Sequence, residues 1–289
     1  PYIVDIRGTS WNVLTKGRAF PVDKNDFSFT RDGGKTTFGF VIVITHGAPG
    51  ETGHLQGYLD MMGIPYSACG LLSAAATFDK WVCKTIAATT GVAIAKDMIV
   101  RAGETMDTKA IVRELGLPLF IKPNEAGSSF GVSKVRTEEE IAPALEKAFS
   151  ENPTALLESC ITGTEVSCGI FVAGGKEYIL PPTEIVSEND FFDFAAKYNG
   201  KSREITPARV SETVRRRLAE AVSAIYKALK CKGVVRIDFI VQDEIPYMIE
   251  LNSVPGMSLQ SIIPQQVRAC GMSVEQMYDL IIEDALHRR

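Results

Sequence analysis

The sequence predicts an α/β fold, and three observations support this prediction. Runs rich in β-branched residues alternate with amphipathic helical stretches along the chain. A strand, a glycine-rich loop and a helix follow one another between residues 38 and 62, which is the order of an α/β unit with its loop at a site-forming end. The length of 289 residues suggests roughly two domains and is ample for a packed core.

Composition narrows the class of protein. The net charge of -4 shows no dominant basic character, which argues against nucleic acid as the main partner. The six cysteines include no Cys-x-x-Cys pair, and with three histidines a zinc site is not expected. They are interpreted as reduced thiols of a cytoplasmic protein. No apolar run is long enough for a membrane span, and no signal peptide is recognised.

The first region is rich in predicted strands. Residues 2–6 and 38–45 fit strand patterns, and the second is an apolar run typical of a buried parallel strand. A glycine-rich loop follows at 46–53, where backbone can approach a ligand closely, and then a predicted helix at 55–62. His46 in this loop is a candidate substrate contact, although a lone histidine is more often structural.

The remaining elements are predicted from periodicity and capping signals. Predicted helices cover 79–90, 138–149 and 212–230. Predicted strands cover 119–123, 132–135, 155–158, 165–172, 178–180, 234–241 and 247–252. Thr137 and Glu140 form a predicted capping box. The polar stretch 187–207 is interpreted as a loop, and loops of this length often act as lids.

The last two predicted strands carry polar side chains on one face. Alternate residues share a face, so Arg236 lies with Asp238, and Glu250 lies with Asn252. In an antiparallel pair, Asp238 would lie roughly opposite Glu250, and two such carboxylates repel unless a cation separates them. Carboxylate and amide oxygens suit Mg²⁺. The alternative is a solvated polar face on which Arg236 pairs one carboxylate. The Pro255-Gly256 loop that follows resembles a functional loop and favours the metal site over this alternative.

Lys122 is a candidate phosphate contact. It ends a predicted strand beside the loop around Gly127, whose backbone N–H groups could cradle a phosphate. In isolation, a lysine after a strand is usually an ordinary surface residue. No Walker A motif is present, because Gly34-Lys35-Thr36 lacks the required glycine at position 29, and no Gly-x-Gly-x-x-Gly exists.

Taken together, the motifs resemble the ATP-grasp superfamily and, within it, the D-alanine:D-alanine ligases. The resemblance runs from about His46 to the end of the chain. Its motifs, in the family's order, are His46-Gly47, Gly50-Glu51, Gln56-Gly57, Asp79-Lys80, Ile121-Lys122-Pro123, Glu125 to Ser129, Gly163-Thr164-Glu165, Ala196-Lys197-Tyr198, Arg236-Ile237-Asp238, Glu250 to Asn252 and Pro255-Gly256-Met257. Each motif alone is weak, and the ordered set is a strong signal.

The resemblance implies four groups of site residues. The nucleotide contacts are Lys80, Lys122, Glu158, Ile161 and Glu165. The metal ligands are Asp238, Glu250 and Asn252. The catalytic positions are Ser128, Tyr198, Arg236 and Gly256. The substrate contacts are His46, Lys197 and Ser261.

The resemblance also implies a role for each group. The two lysines of the nucleotide group would contact phosphates, Glu158 and Ile161 would belong to the adenine-binding segment, and Glu165 would bind ribose. Arg236 and the backbone of Gly256 would stabilise an oxyanion. Ser128 and Tyr198 would form a hydrogen-bonded trio with an upstream glutamate, and Lys197 and Ser261 would hold the carboxylate of a second D-alanine.

The implied protein is an α/β ATP-grasp ligase with an N-terminal parallel-sheet α/β domain at 1–69. Central and C-terminal ATP-grasp domains at 70–160 and 161–289 would sandwich ATP. It would join two D-alanine molecules through a D-alanyl phosphate for peptidoglycan synthesis. Its cofactors would be ATP and two Mg²⁺ ions, with Mn²⁺ as an alternative. It would be a cytoplasmic homodimer without nucleic-acid or membrane partners.

The sequence departs from the family pattern in three places. The family's first glycine-rich loop, with the glutamate that holds the first D-alanine, would lie before Pro1, so the natural protein is expected to begin earlier. Thr52 stands where an aspartate is usual. Ser159 and Cys160 stand in the adenine segment where a lysine and an aromatic residue are more usual.

Three alternative functions remain at this point. A sister ligase would make D-alanyl-D-lactate or D-alanyl-D-serine, and Tyr198 favours the dipeptide over the depsipeptide. An ATP-grasp enzyme with unrelated substrates is disfavoured by the His46 loop and Ser261. A nucleotide-binding regulatory module is disfavoured by the complete set of predicted metal ligands.

Overall fold

The computed structural model describes residues 1–127, 130–187 and 202–287, and three β-sheets with packed helices organise these residues. The first sheet is an antiparallel meander of β1 (Ile3–Arg7), β2 (Ser10–Thr15), β3 (Arg18–Asp23), β4 (Ser28–Arg31) and β5 (Gly34–Thr37). Helix α1 (His54–Met61) packs against it, and Phe27, Phe29 and Leu59 lie in their shared core. The predicted first strand and the helix at 55–62 are thus confirmed to within two residues.

The predicted buried strand over residues 38–45 is wrong. In this stretch only Val41 forms a β-bridge, which is parallel and pairs with Tyr66. Ile42 and Ile44 are 45% and 62% exposed, whereas Val43 between them is buried. An apolar run is buried on both faces only where neighbouring elements cover both. Among the described residues, the first region therefore contains an antiparallel sheet and one parallel bridge in place of the expected parallel sheet.

The second sheet carries one wall of the candidate site. Its strands are β7 (Asp97–Arg101), β8 (Leu119–Pro123), β9 (Ser133–Val135) and β10 (Thr154–Ser159), in the order β7-β10-β8-β9. Helices α4 (Thr108–Leu115) and α5 (Ile141–Phe149) supply apolar side chains to its core. The predicted capping box of Thr137 and Glu140 is confirmed, and it begins a 3₁₀ turn that leads into α5.

The third sheet carries the opposite wall. Its strands are β6 (Ala93–Ile94), β11 (Thr164–Ala173), β12 (Lys176–Ile179), β13 (Thr183–Ser187), β14 (Ser202–Ile205), β15 (Val235–Gln242) and β16 (Ile245–Asn252). The order is β14-β13-β11-β15-β16-β6, and β12 pairs with the far end of β11. The predicted loop at 187–207 is wrong in part, because β14 pairs with β13; residues 188–201 lie outside the described part of the chain.

In the described part of the chain, five helices accompany the third sheet: α2 (Leu71–Phe78), α3 (Lys80–Ala88), α6 (Glu212–Ala228), α7 (Ile262–Ala269) and α8 (Val274–His287). The apolar stripe of α6 is buried as its periodicity predicts, with Leu218, Val222 and Ile225 in the core. Ser211 caps α6 by accepting a hydrogen bond of 3.2 Å from the Val214 N–H. No helix among the described residues is long and apolar enough to cross a membrane.

Helix α7 is fastened to the third sheet by the buried side chain of Gln266. Its Nε2 donates to the Ser167 carbonyl at 2.8 Å and to Thr183 Oγ1 at 3.1 Å. Its Oε1 accepts from the Gly169 N–H at 3.0 Å. These bonds join α7 to β11 and β13. The close approach requires glycine at 169, since a Cβ there would lie 2.6 Å from Gln266 Oε1.

Candidate active site

The hairpin of β15 and β16 places four polar residues in one register. Asp238 pairs with Glu250 and Arg236 pairs with Asn252 across the antiparallel ladder, as the strand-face argument predicts. Ile237 and Phe239 point the opposite way and are fully buried. The ladder has an irregularity directly after Asp238. Two carboxylates, an amide and a guanidinium therefore share one face at the end of the hairpin.

Asp238 is the most heavily engaged of these side chains. Arg236 Nε donates to Asp238 Oδ1 at 2.9 Å, and Nη2 donates to Oδ2 at 2.8 Å. The Asn252 side-chain amide donates to Oδ2 at 3.1 Å, and the Ser167 hydroxyl donates to Oδ1. Burial opposes the charge of Arg236, but attraction to Asp238 outweighs it and raises the pKa of the guanidinium above its ordinary value. The guanidinium therefore stays charged at neutral pH.

Two lysines lie near this hairpin, one on the second sheet and one on a helix that packs against the third sheet. Lys122 lies near the end of β8, where Pro123 closes the strand, and Lys80 begins α3. Asp79 caps α3 by accepting from the Val82 N–H at 2.8 Å, which fixes the first turn of the helix. Burial lowers the pKa of Lys80, Glu250 opposes this shift, and Lys122 adds to it. The two ammonium groups and Glu250 are therefore near enough to influence one another.

Glu158 connects Lys122 to a lysine that the sequence analysis missed. Its Oε2 forms an ion pair with Lys122, and its Oε1 forms one with Lys84, which is only 1% exposed. Burial opposes ionisation of Glu158, but attraction to both lysines outweighs it and lowers the pKa to about 2. One signal could have revealed Lys84: it lies one helical turn after Lys80 on the face of α3 that buries Cys83 and Ala87.

A cavity of about 360 Å³ lies between the two walls. The predicted site residues that line it are Lys80, Lys122, Glu158, Ile161, Glu165, Arg236, Asp238, Glu250, Asn252, Gly256 and Ser261. Sequence analysis did not single out the apolar residues that also line it, including Phe120, Phe130, Ile185, Ile240 and Ile249. Such residues are ordinary core residues by composition, so only their position in the fold reveals them.

Among the predicted site residues that the structure describes, His46 alone does not line this cavity. Ser128, Lys197 and Tyr198 lie outside the described residues. Glu51, in the same loop as His46, does line the cavity. His46 Nδ1 lies 3.9 Å from Glu51 Oε1, and the Glu51 carboxylate raises the pKa of the imidazole despite partial burial. Glu51 also accepts from the Gly47 N–H at 2.6 Å, which holds the loop closed.

The loop between β16 and α7 is compact around Ser261. The Ser258 N–H donates to Ser261 Oγ at 3.1 Å, and the two serine hydroxyls are 2.8 Å apart. Ser261 occupies the N-cap position of α7 without a side-chain hydrogen bond to the helix. A Cβ at Gly256 would lie 3.0 Å from Ser261 Oγ, so this position favours glycine. The loop thereby brings the backbone of Gly256 close to the Ser261 hydroxyl.

The metal-binding prediction can be compared with the donor atoms. Among residues 1–127, 130–187 and 202–287, no group of three His, Cys, Asp or Glu side chains is arranged to hold a metal ion. The candidate donors are two carboxylates and an amide, Asp238, Glu250 and Asn252, on one face of paired strands. Hard oxygen donors of this kind fit Mg²⁺ when substrate phosphates complete its coordination.

Comparison with known proteins agrees with the predicted family and fold. Residues 86–283 match the family described as D-ala D-ala ligase C-terminus. A D-alanine–D-alanine ligase of Bacteroides fragilis is 48% identical over 98% of this chain and 88% of its own length.

Two solved structures are also similar. The VanG D-Ala:D-Ser ligase from Enterococcus faecalis is 30% identical over 95% of this chain and 86% of its own, with a TM-score of 0.83. The D-alanine–D-alanine ligase from Bacillus anthracis complexed with ATP is 31% identical over 86% of this chain and 78% of its own, with a TM-score of 0.73. The predicted resemblance and α/β ATP-grasp fold are thus confirmed, and the chain belongs to the D-alanine–D-alanine ligase family.

Proposed function

We propose that this protein joins two D-alanine molecules into D-alanyl-D-alanine at the expense of ATP, through a D-alanyl phosphate, for peptidoglycan synthesis. One observation carries the proposal: a single cavity is lined by Lys80, Lys122, Arg236, Asp238 and Glu250. This arrangement suits a reaction in which a phosphoryl group and then an acyl oxyanion must be stabilised. Membership of the family supports the choice of substrates.

Asp238, Glu250 and Asn252 would hold two Mg²⁺ ions, or Mn²⁺ in their place. The cations would neutralise phosphate oxygens of ATP, which is the chemistry that metal ions supply in phosphoryl transfer. The register of β15 and β16 supports this assignment, because Asp238 and Glu250 are cross-strand partners. Asp238 also pairs with Arg236, so this carboxylate would serve both the guanidinium and a cation.

The chain's own residues then account for the phosphoryl-transfer step. The carboxylate of the first D-alanine attacks the γ-phosphorus of ATP, the bond to the bridging oxygen of ADP breaks, and an acyl phosphate forms. Lys80 and Lys122 would balance negative charge on the phosphates. Glu158 and Ile161 would contact adenine, and Glu165 would contact ribose; all three line the cavity.

The second step forms the peptide bond. The amine of the second D-alanine attacks the acyl carbon, and phosphate leaves from the resulting tetrahedral intermediate. Arg236 and the Gly256 backbone would stabilise its oxyanion. Ser261, His46 and Lys197 would contact the substrates, and Ser128 and Tyr198 would take part in a hydrogen-bonded trio. Since acyl phosphates hydrolyse readily, residues around Ser129 and Lys197 would close over the site and exclude water.

The same site could take a different second substrate. Similarity to the VanG D-Ala:D-Ser ligase supports D-serine as the second candidate. An acceptor hydroxyl would need a polar partner, and the Ser258–Ser261 pair at the loop before α7 is one candidate. D-lactate is the further alternative, which Tyr198 disfavours. A regulatory module without catalysis is disfavoured by Asp238 and Glu250 facing each other in the cavity.

The direct test measures phosphate release and identifies the product. Purified protein is incubated with ATP, Mg²⁺ and D-alanine, alone and with D-serine or D-lactate. D-alanyl-D-alanine as the main product in all mixtures is the expected result. A mixed product that dominates would assign a sister ligase. ATP turnover that requires a different amino acid would retain the ATP-grasp ligase chemistry and overturn the D-alanine assignment.

Cellular location and assembly are part of the proposal. A cytoplasmic location is supported by the dependence on ATP and by six free cysteines. A homodimer is supported by the family resemblance and by exposed apolar side chains on α1 and α2, with Met61 at 77% and Leu72 at 66% exposure. Light scattering at two protein concentrations would give the mass in solution, and a persistent monomer would contradict the dimer.

A further inference from the structure

Lys84 is a buried charge that the proposed reaction does not use. Its side chain is 1% exposed, and unlike Lys80 and Lys122 it does not line the cavity. Its ammonium group contacts Glu158 Oε1 and lies 3.2 Å from Asp97 Oδ2. A lysine is rarely buried so fully unless its charge is needed there.

The position of Lys84 explains how two acidic residues can lie directly opposite each other on adjacent strands. Asp97 of β7 and Glu158 of β10 are direct cross-strand partners. Like charges at such positions repel, and burial strengthens the repulsion. The ammonium group of Lys84, supplied by α3, contacts both carboxylates. It therefore serves as their shared counter-ion.

The two oxygens of Glu158 have different surroundings. Oε1 faces Lys84 in the interior, whereas Oε2 contacts Lys122, which lines the cavity together with Glu158 itself. A phosphate bound in the cavity would compete with Glu158 for Lys122. Lys84 would keep its own contact in that event, so Glu158 would stay ionised and fixed while its Oε2 became available to a ligand.

We propose that Lys84 is a positioning residue that holds Glu158 as an ionised hydrogen-bond acceptor for the amino group of adenine, and so sets the preference for ATP over 6-oxopurine nucleotides. This inference rests on the proposed binding of ATP in the cavity. A fixed carboxylate accepts from an N–H donor and repels a carbonyl oxygen at the same place. Without Lys84, Glu158 would either turn wholly to Lys122 or take up a proton, and a carboxylic acid can donate to a carbonyl.

The test compares ATP with ITP, which carries a carbonyl oxygen in place of the adenine amino group. Binding of each nucleotide with Mg²⁺ is measured by calorimetry, without D-alanine, for the wild type and for Lys84→Met, which keeps most of the side-chain volume. Lys96→Met is the matched control, because Lys96 lies next to Asp97 but its side chain is 72% exposed. The ratio of the dissociation constants for ITP and ATP should be the same in the wild type and in Lys96→Met. In Lys84→Met this ratio should fall about tenfold, which corresponds to the loss of one charge-assisted hydrogen bond.

A loss of stability alone would not produce this result. If Lys84 had only a structural role, its replacement would weaken the binding of both nucleotides equally and leave the ratio of their dissociation constants unchanged. A folded Lys84→Met variant with the wild-type ratio would overturn the proposal, as would a wild type that binds ITP as tightly as ATP. If the single variant does not fold, Lys84→Met/Asp97→Asn removes the opposing charge as well, and the same ratio decides. Loss of the preference in a protein that forms no D-alanyl-D-alanine would refute the proposed function but not the role of Lys84.

Discussion

Arg236 and Asp238 form a buried two-point ion pair along one strand, with Nε and Nη2 of the arginine on Oδ1 and Oδ2 of the aspartate at 2.9 and 2.8 Å. The carboxylate proposed to bind a cation is thus already aligned by a guanidinium. Sequence analysis treated an arginine pair and a metal site as alternatives, but the geometry is compatible with both. The pair fixes Asp238 opposite Glu250 before any ligand enters.

Removal of either candidate metal-binding charge should abolish turnover. Asp238→Asn and Glu250→Gln keep the shape of each side chain but remove a charge that would balance the triphosphate. We expect ATP-dependent phosphate release to fall by on the order of a thousandfold, since electrostatic stabilisation of this kind is a large term. Steady-state kinetics over a range of Mg²⁺ concentrations measures the loss.

Asp243→Asn is the matched control for these two variants. Asp243 lies in the exposed turn of the same hairpin and has a positive φ of 50°, which asparagine tolerates. Its activity should equal that of the wild type. Near-normal turnover in Asp238→Asn or Glu250→Gln would remove both residues from the proposed metal site.

Arg236→Lys should separate catalysis from nucleotide binding. Lysine keeps the positive charge but cannot make the paired contacts with both oxygens of Asp238. We expect kcat to fall by about a hundredfold, because the oxyanion of the second step loses its aligned donor. The dissociation constant for ATP, measured by calorimetry, should change little; a loss confined to ATP binding would contradict the proposed oxyanion role.

Ionisation of Glu158 should contribute to stability against acid. Its pKa is lowered from 4.5 to about 2, so the stabilisation is fully present above pH 4.5 and is lost as the pH falls through about 2. Glu158→Gln lacks this contribution, and we expect it to be less stable than the wild type near neutral pH. The difference in Tm should shrink as acid protonates the wild-type carboxyl; a difference independent of pH would show that Glu158 is not ionised.

Gly163→Ala should lower the stability of the protein and weaken its binding of ATP. A Cβ at Gly163 would lie 2.7 Å from the Val241 carbonyl carbon, and backbone atoms yield little. The clash would displace the start of β11 just before Glu165, so we expect a loss of about 1–3 kcal/mol in the free energy of unfolding and weaker ATP binding. Gly39→Ala, where no atom lies within 4 Å of the added Cβ, is the control. Equal stability of the two variants would contradict the clash.

Sequence patterns predicted the structure correctly where the interacting residues lie close together in the sequence. The alternation of Arg236 and Asp238 with Ile237 predicted both the polar face and, through the nearby second strand, the pairing with Glu250. The capping box at Thr137 succeeded for the same reason, since its two hydrogen bonds join residues three apart. Local patterns suffice when the interacting groups are close in sequence.

Sequence patterns gave wrong or incomplete predictions where burial or ion pairing depends on residues that are distant in the sequence. The apolar run at 38–45 looked like a buried strand, but burial depends on elements that the run itself does not specify. The sequence did not indicate Lys84 as a site residue because its carboxylate partners lie 13 and 74 residues away, on separate strands. The roles of Ser128, Lys197 and Tyr198 stay predictions, as do the domain boundaries at 69 and 160.

The hydrogen bonds of Gln266 have a consequence for motion during a catalytic cycle. They fasten α7 to the Ser167 carbonyl, and the hydroxyl of the same serine holds Asp238. We expect Ser261, at the start of α7, to travel with Asp238 as one rigid body when the two walls approach or separate. Acceptor contacts and phosphate contacts would then engage in a single movement, which would couple the arrival of the second amino acid to the protection of the acyl phosphate.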